Sequence, residues 1–277
     1  MEQVDLSVFE KQASKFKAYV YAADKIEAPL DFVDRKGLLV KEEGYKSRIS
    51  SQARTVLSTD EWDESWLGSG EIPKRIYKVM DLAGNLINFN SRIDFRKHFE
   101  QDKKEYNPDS EKVIYDLFKS DDDETSFARI VKVFGAKYPI VSYLFFVKND
   151  EKYLPVSPES FDRAFKDLNI DFTMSYKCSW NNYCQYLNIV REIQDTMPRY
   201  LDISHPVRLI DAHSFAWIIG EKKFKEWGLN ASDINTPLVP LDIISEPNGI
   251  VRYKCARCSE LFKQARRCPE CGQAVKQ

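Results

Sequence analysis

Histidine is scarce in this chain. Only His98, His205 and His213 occur among 277 residues, which leaves few imidazoles for acid–base chemistry or metal ligation. Long apolar runs are also lacking. None approaches the roughly 20 residues that a membrane-spanning helix needs, so no membrane association is expected. The opening "MEQVDLSVFEKQ" is acidic and amphipathic, unlike a signal peptide. A cytoplasmic protein is therefore expected, where thiols stay reduced and paired cysteines act as metal ligands before disulfides. No internal repeat is found, which argues against a solenoid. The formal net charge of −2 does not by itself suggest a polyanionic partner.

What is present suits a folded globular protein. Hydrophobic residues make up 43% of the chain and charged residues 30%, well away from the composition of disordered segments. Apolar residues recur at helical spacing over 4–23, 45–58, 91–101, 109–119 and 125–135. A further helix follows "LGSG", with Pro73 in its first turn and Gly84 at its end. "FDRAFKDL" predicts a short helix, and longer ones are expected over 179–197 and about 211–227. The run "YPIVSYLFFV" at 138–147 fits a buried strand and a buried helix equally. Residues 228–250 hold three prolines and two glycines and predict a linker. The expected fold class is α+β: a predominantly helical body over 1–227, the linker, and a zinc ribbon over 251–277.

The ribbon is expected from "CARCSELFKQARRCPECG" at 255–272. Two C-x-x-C pairs, Cys255 with Cys258 and Cys268 with Cys271, supply four thiolates. That is the donor set of a tetrahedral zinc site with bonds of about 2.3 Å. All four positions are protein ligands, so the site is structural. Iron, paired disulfides and free thiols are the alternatives. Charge is uneven as well. Residues 251–277 carry seven Lys/Arg against two Glu, which leaves −7 on residues 1–250. Lys263, Arg266 and Arg267 lie between the cysteine pairs with Phe262, a set suited to phosphate contact and base stacking. A protein-docking knob and a stabilising clip are the competing readings.

Other segments bear on chemistry. "DAHSF" places Asp211, His213 and Ser214 together, but neighbours on one helix do not face one another as a catalytic triad requires. Asp211, Glu221 and Lys223 form a candidate divalent-metal nuclease site, against which stands a solvated helix end. "LGSGEIPKR" suggests a phosphate at a helix N-terminus or a plain turn; it lacks the P-loop spacing. "SDDDE" reads as a solvated loop or a cation site. "FTMSYKCSWNNYCQY" at 172–186 concentrates Phe172, Tyr176, Trp180, Asn181, Asn182, Tyr183 and Tyr186. These would make either an aromatic pocket able to hold a base or ordinary core. Cys178 and Cys184 are expected as buried thiols.

"GSGEIPKRIYKVMDLAGNLINF", "YPIVSYLFFVKNDEKYLPVSPESFDRAF", "CSWNNY" and "LIDAHSFAWII" resemble segments of a group of uncharacterised bacterial proteins. Some of that group carry HNH-type nuclease domains and are predicted to act in restriction or phage defence. The resemblance spans about residues 40–220 and implies DNA-related work. HNH chemistry needs a general-base His on a ββα hairpin, and the nine residues between the cysteine pairs include no His. The expectation is a non-catalytic, nucleic-acid-associated protein with structural zinc, with DNA ahead of RNA as its partner. An adaptor that docks a partner protein through the zinc knob is the alternative, and a divalent-metal-dependent nuclease the second.

Overall fold

The computed structural model describes residues 4–24, 27–34 and 37–221, together with the backbone of 242–245, 251–254 and 261–262. The helices are α1 (Leu6–Asp24), α2 (Leu38–Glu42), α3 (Tyr45–Leu57), α4 (Glu71–Leu82), α5 (Phe89–Lys97) and α6 (Ser110–Lys119). They continue as α7 (Asp123–Phe134), α8 (Tyr138–Lys148), α9 (Pro158–Asp167), α10 (Trp180–Thr196) and α11 (Leu209–Gly220). Strands β1 (Asp242–Ser245), β2 (Val251–Lys254) and β3 (Leu261–Phe262) pair antiparallel in the order β1-β2-β3.

The expected α+β class is corrected to a predominantly helical one, because the described part of the body up to Glu221 holds no strand. The ambiguous run at 138–147 decides the matter. It is helix α8, with Pro139 in its first turn, where a missing N–H costs nothing. Every residue from Ile140 to Val147 is buried. A helix apolar on all sides belongs at the centre of a body. Here α3, α5 and α7 surround it. Its polar atoms are matched: the Tyr143 hydroxyl donates to the Val79 carbonyl at 2.8 Å. The Ser142 hydroxyl donates to the Tyr138 carbonyl and accepts from the Val156 amide.

Helix α11 is a second such centre, buried along nearly its whole length and surrounded by α1, α9 and α10. It runs to Gly220 with Glu221 at its C-terminal end; the remainder of the helix expected to about 227 lies outside the described residues. A Cβ at Gly220 would collide with the Ser160 carbonyl, so only glycine lets α9 and α11 approach this closely. Spacing over 179–197 predicts a buried stripe of Trp180, Tyr183, Cys184, Leu187, Val190 and Met197; Tyr183, Leu187, Val190 and Met197 are buried, whereas Trp180 and Cys184 are half-buried. Ser179 caps α10 by accepting from the Asn182 amide at 3.2 Å. Tyr183, Tyr186, Leu187, Val190 and Ile193 form the buried stripe. Four residues of the expected linker, Asp242–Ser245, are strand β1. The cysteines at 255, 258, 268 and 271, and Lys263, Arg266 and Arg267, lie outside the described residues. Among the described residues no helix is long and apolar enough to cross a membrane.

Candidate functional site

The segment between α9 and α10 is pinned from three sides. Asp162 on α9 accepts from the Met174 amide at 2.5 Å and the Ser175 amide at 3.2 Å. Met174 is fully buried beneath it. The Tyr138 hydroxyl donates to Asn182 Oδ1 at 2.6 Å, and Asn182 Nδ2 donates to the Thr173 carbonyl at 3.2 Å. Asn182 is therefore a structural strut, with both ends of its amide engaged.

Over this frame lies an open cavity of about 720 Å³, within the roughly 300–1,000 Å³ range of ligand pockets. Phe172, Thr173, Tyr176, Asn181 and Gln185 contribute to its lining. Asn181 and Gln185 are one turn apart on α10, so their amides share a face. Neither side chain has a hydrogen-bond partner among the described residues. Tyr176 is fully exposed and sits at φ 64°, a left-handed conformation that costs a non-glycine residue roughly 1–2 kcal/mol. Asp171 and Lys177 add one charge of each sign to the lining. Cys178 also lines the cavity, but burial pushes its thiol up to about 12. It stays protonated near neutrality and is no nucleophile.

The sequence cluster thus divides. Phe172, Tyr176, Asn181 and Asn182 line the cavity. Tyr183 and Tyr186 are core, and Trp180 packs against Phe127, Phe145 and Tyr153. Cys178 and Cys184 are half-buried rather than fully buried.

A second polar cluster was not legible in the sequence. Lys46 on α3 is buried, and its ammonium donates to Glu43 Oε2, to His213 Nδ1 at 3.2 Å and to Ser214 Oγ at 3.5 Å. His213 Nε2 lies 2.9 Å from the Pro155 carbonyl. A carbonyl only accepts, so Nε2 carries the proton and Nδ1 receives the lysine. Burial, reinforced by the Lys46 charge, holds the His213 pKa well below that of a free imidazole. The Trp217 ring centroid is 5.3 Å from the ammonium, within cation–π range. His213 thus serves Lys46 and Pro155, and no Asp211–His213–Ser214 triad forms.

The remaining candidates are engaged locally. Asp211 is 1% exposed and accepts from the Arg208 backbone at 2.9 Å and from its guanidinium at 2.7 Å. Glu221 binds Arg163 Nη2 at 2.7 Å and accepts from the Ser160 hydroxyl. The two acids flank α11 ten residues apart, about 15 Å along a helix, and do not converge; Lys223 lies outside the described residues. At "LGSGEIPKR" the Gly68 amide donates to the Glu111 carboxylate at 2.6 Å, and Lys74 pairs with Glu71; residues 67–70 are a turn that leads into α4 at Glu71. "SDDDE" is not simply solvated. Asp122 caps α7, and buried Asp123 receives Lys148, Lys152 and the Tyr153 hydroxyl. Burial pushes the Asp123 pKa up, but those three donors outweigh it and hold the carboxyl below its usual range. Among the described residues no three His, Cys, Asp or Glu side chains are grouped to hold a metal.

No family model, curated protein or solved structure matches this chain.

Proposed function

We propose that this is a nucleic-acid-associated protein that binds without cutting, with a structural zinc ribbon following its helical body. The observation that carries the reading is the sequence of residues 251–277, two C-x-x-C pairs in a basic segment. Register places Lys254 opposite Leu261, so β2 and β3 bracket the six residues that contain Cys255 and Cys258. Four thiolates are a complete donor set for zinc, which would be held by Cys255, Cys258, Cys268 and Cys271. Lys263, Arg266 and Arg267 would contact phosphates, with Phe262 beside them. Local engagement of Asp211 and Glu221 supports a role without hydrolysis. The resemblance to restriction and phage-defence proteins supports DNA as the partner.

The test is binding of the full chain to duplex DNA, single-stranded DNA and RNA across a salt series, with zinc content measured on the same samples. Arg266→Ala combined with Arg267→Ala is expected to weaken binding to every sequence and to reduce the salt slope by about two. Unchanged affinity and slope would remove the phosphate assignment. The acidic balance of residues 1–250 favours a second reading, docking onto a partner protein. A zinc-loaded, folded protein that binds no nucleic acid at low salt would select it.

A further inference from the structure

The cavity lined by the 171–179 segment and the first turns of α10 has a chemistry of its own, separate from the basic tail. Its polar groups are mainly neutral: the amides of Asn181 and Gln185 and the Thr173 hydroxyl. Each primary amide offers donors and an acceptor in one plane, and neither finds a partner among the described residues. The neighbouring amide, Asn182, is fully committed to Tyr138 and Thr173, so the free pair is not a general feature of this helix. Tyr176 stands at the rim as a fully exposed aromatic ring on left-handed backbone. Half-buried Phe172, edge-on to Phe165 at 5.8 Å, supplies a second aromatic surface.

Charge selects against other ligands. Asp171 and Lys177 balance one another, so the lining has no net attraction for a phosphate cluster or a cation. The Cys178 thiol is protonated and hydrophobic in character. A flat, uncharged ring with hydrogen-bonding edges uses every one of these groups: the aromatics by stacking, the amides by edge contact.

We infer that this cavity binds a single unpaired nucleobase, stacked on Tyr176 and read at its edge by Asn181 and Gln185. The inference deepens the nucleic-acid reading but stands on different residues. The base is supplied either by a single strand, whose backbone the basic tail would hold, or by a free nucleoside or nucleotide.

Three probes separate these sources. The full-length protein is titrated with 2-aminopurine riboside, with a short single strand containing 2-aminopurine, and with an equally long strand made wholly of abasic sugar-phosphate. Stacking is expected to change the fluorescence of the first two on binding. Tyr176→Ala is expected to weaken them by about 5- to 150-fold, the range for loss of one stacked base, and to leave the abasic strand unaffected. Asn181→Ala with Gln185→Ala tests the edge contacts. All three residues are solvent-exposed, so folding is preserved.

Tyr176-dependent binding of either base-containing probe supports the inference and identifies the source. If the riboside binds but neither strand does, the cavity stands, its ligand is a free nucleoside or nucleotide, and the single-strand source falls. If both strands bind alike and Tyr176→Ala changes nothing, the cavity inference falls and the nucleic-acid reading survives. Binding of no probe overturns the cavity inference and leaves the nucleic-acid reading to the duplex arm of the salt series.

Discussion

Two polar clusters in this protein use similar side chains to opposite ends. Around Lys46 the groups are buried, and each ammonium proton has an assigned acceptor, with only Glu43 Oε1 left without a partner among the described residues. Around the cavity of the 171–179 segment the frame is equally well satisfied, but Asn181 and Gln185 are left over, facing an open space. The first cluster ties α3 to α11 and to the Pro155 segment, and its side chains are closed off from solvent. The second holds a loop still while leaving hydrogen-bonding capacity unused. A Lys, a His and a Ser in contact look more catalytic than two amides and a tyrosine. Satisfaction and access reverse that ranking. Groups that have already spent their hydrogen bonds on one another are structure, and unspent groups beside a cavity are available for recognition.

The sharpest way to break the comparison is to disrupt the closed cluster. Lys46→Met leaves the buried Glu43 carboxylate without its counter-charge. It is expected to destabilise the protein by about 3–5 kcal/mol, measured by urea unfolding. Replacing Glu43 with Leu in the same chain should recover most of the loss. A Lys46→Met protein of unchanged stability would show that the network does not hold the fold together.

Acid gives a smaller effect with a defined sign. His213 has a folded-state pKa well below its unfolded value, so the unfolded chain binds more protons in the interval between the two. Stability is complete above an unfolded pKa of about 6.5 and falls as pH drops below it, by up to about 1.4 kcal/mol per unit. Burial depresses His98 in the same direction, so His213→Gln should flatten the slope without abolishing it. Unfolding midpoints measured across that range check this; an unchanged slope in the variant would contradict the neutral, doubly bonded imidazole.

The open cluster should show the smallest stability effect. Asn181→Ala and Gln185→Ala are expected to stay within about 0.5 kcal/mol of the parent in the same unfolding assay. A loss well beyond that would mean these amides support the loop, as Asn182 does, and are not reserved for a ligand.

Much of the helical plan was legible because amphipathic spacing is a local property. The extent of α10 and the position of α4 both followed from residues within a turn or two of one another. The run at 138–147 was not, because an all-apolar segment lacks the periodicity that separates strand from helix. It is a helix because it lies inside three others, which is long-range information. The aromatic and amide cluster at 172–186 was visible as a composition, but its division was not. Tyr183 and Asn182 differ by one residue, yet one is core and the other braces the cavity wall, because adjacent helix positions point about 100° apart.

The sequence by itself determined the globular composition, most helix positions and the spacing of the four C-terminal cysteines, since each depends on residue type and short spacing. Only the tertiary structure decided which polar groups are spent. Lys46 and His213 are 167 residues apart, and Asp162 reaches across to the 174–175 backbone from another helix. Whether a side chain is a strut or a free hand depends on partners that no local window contains.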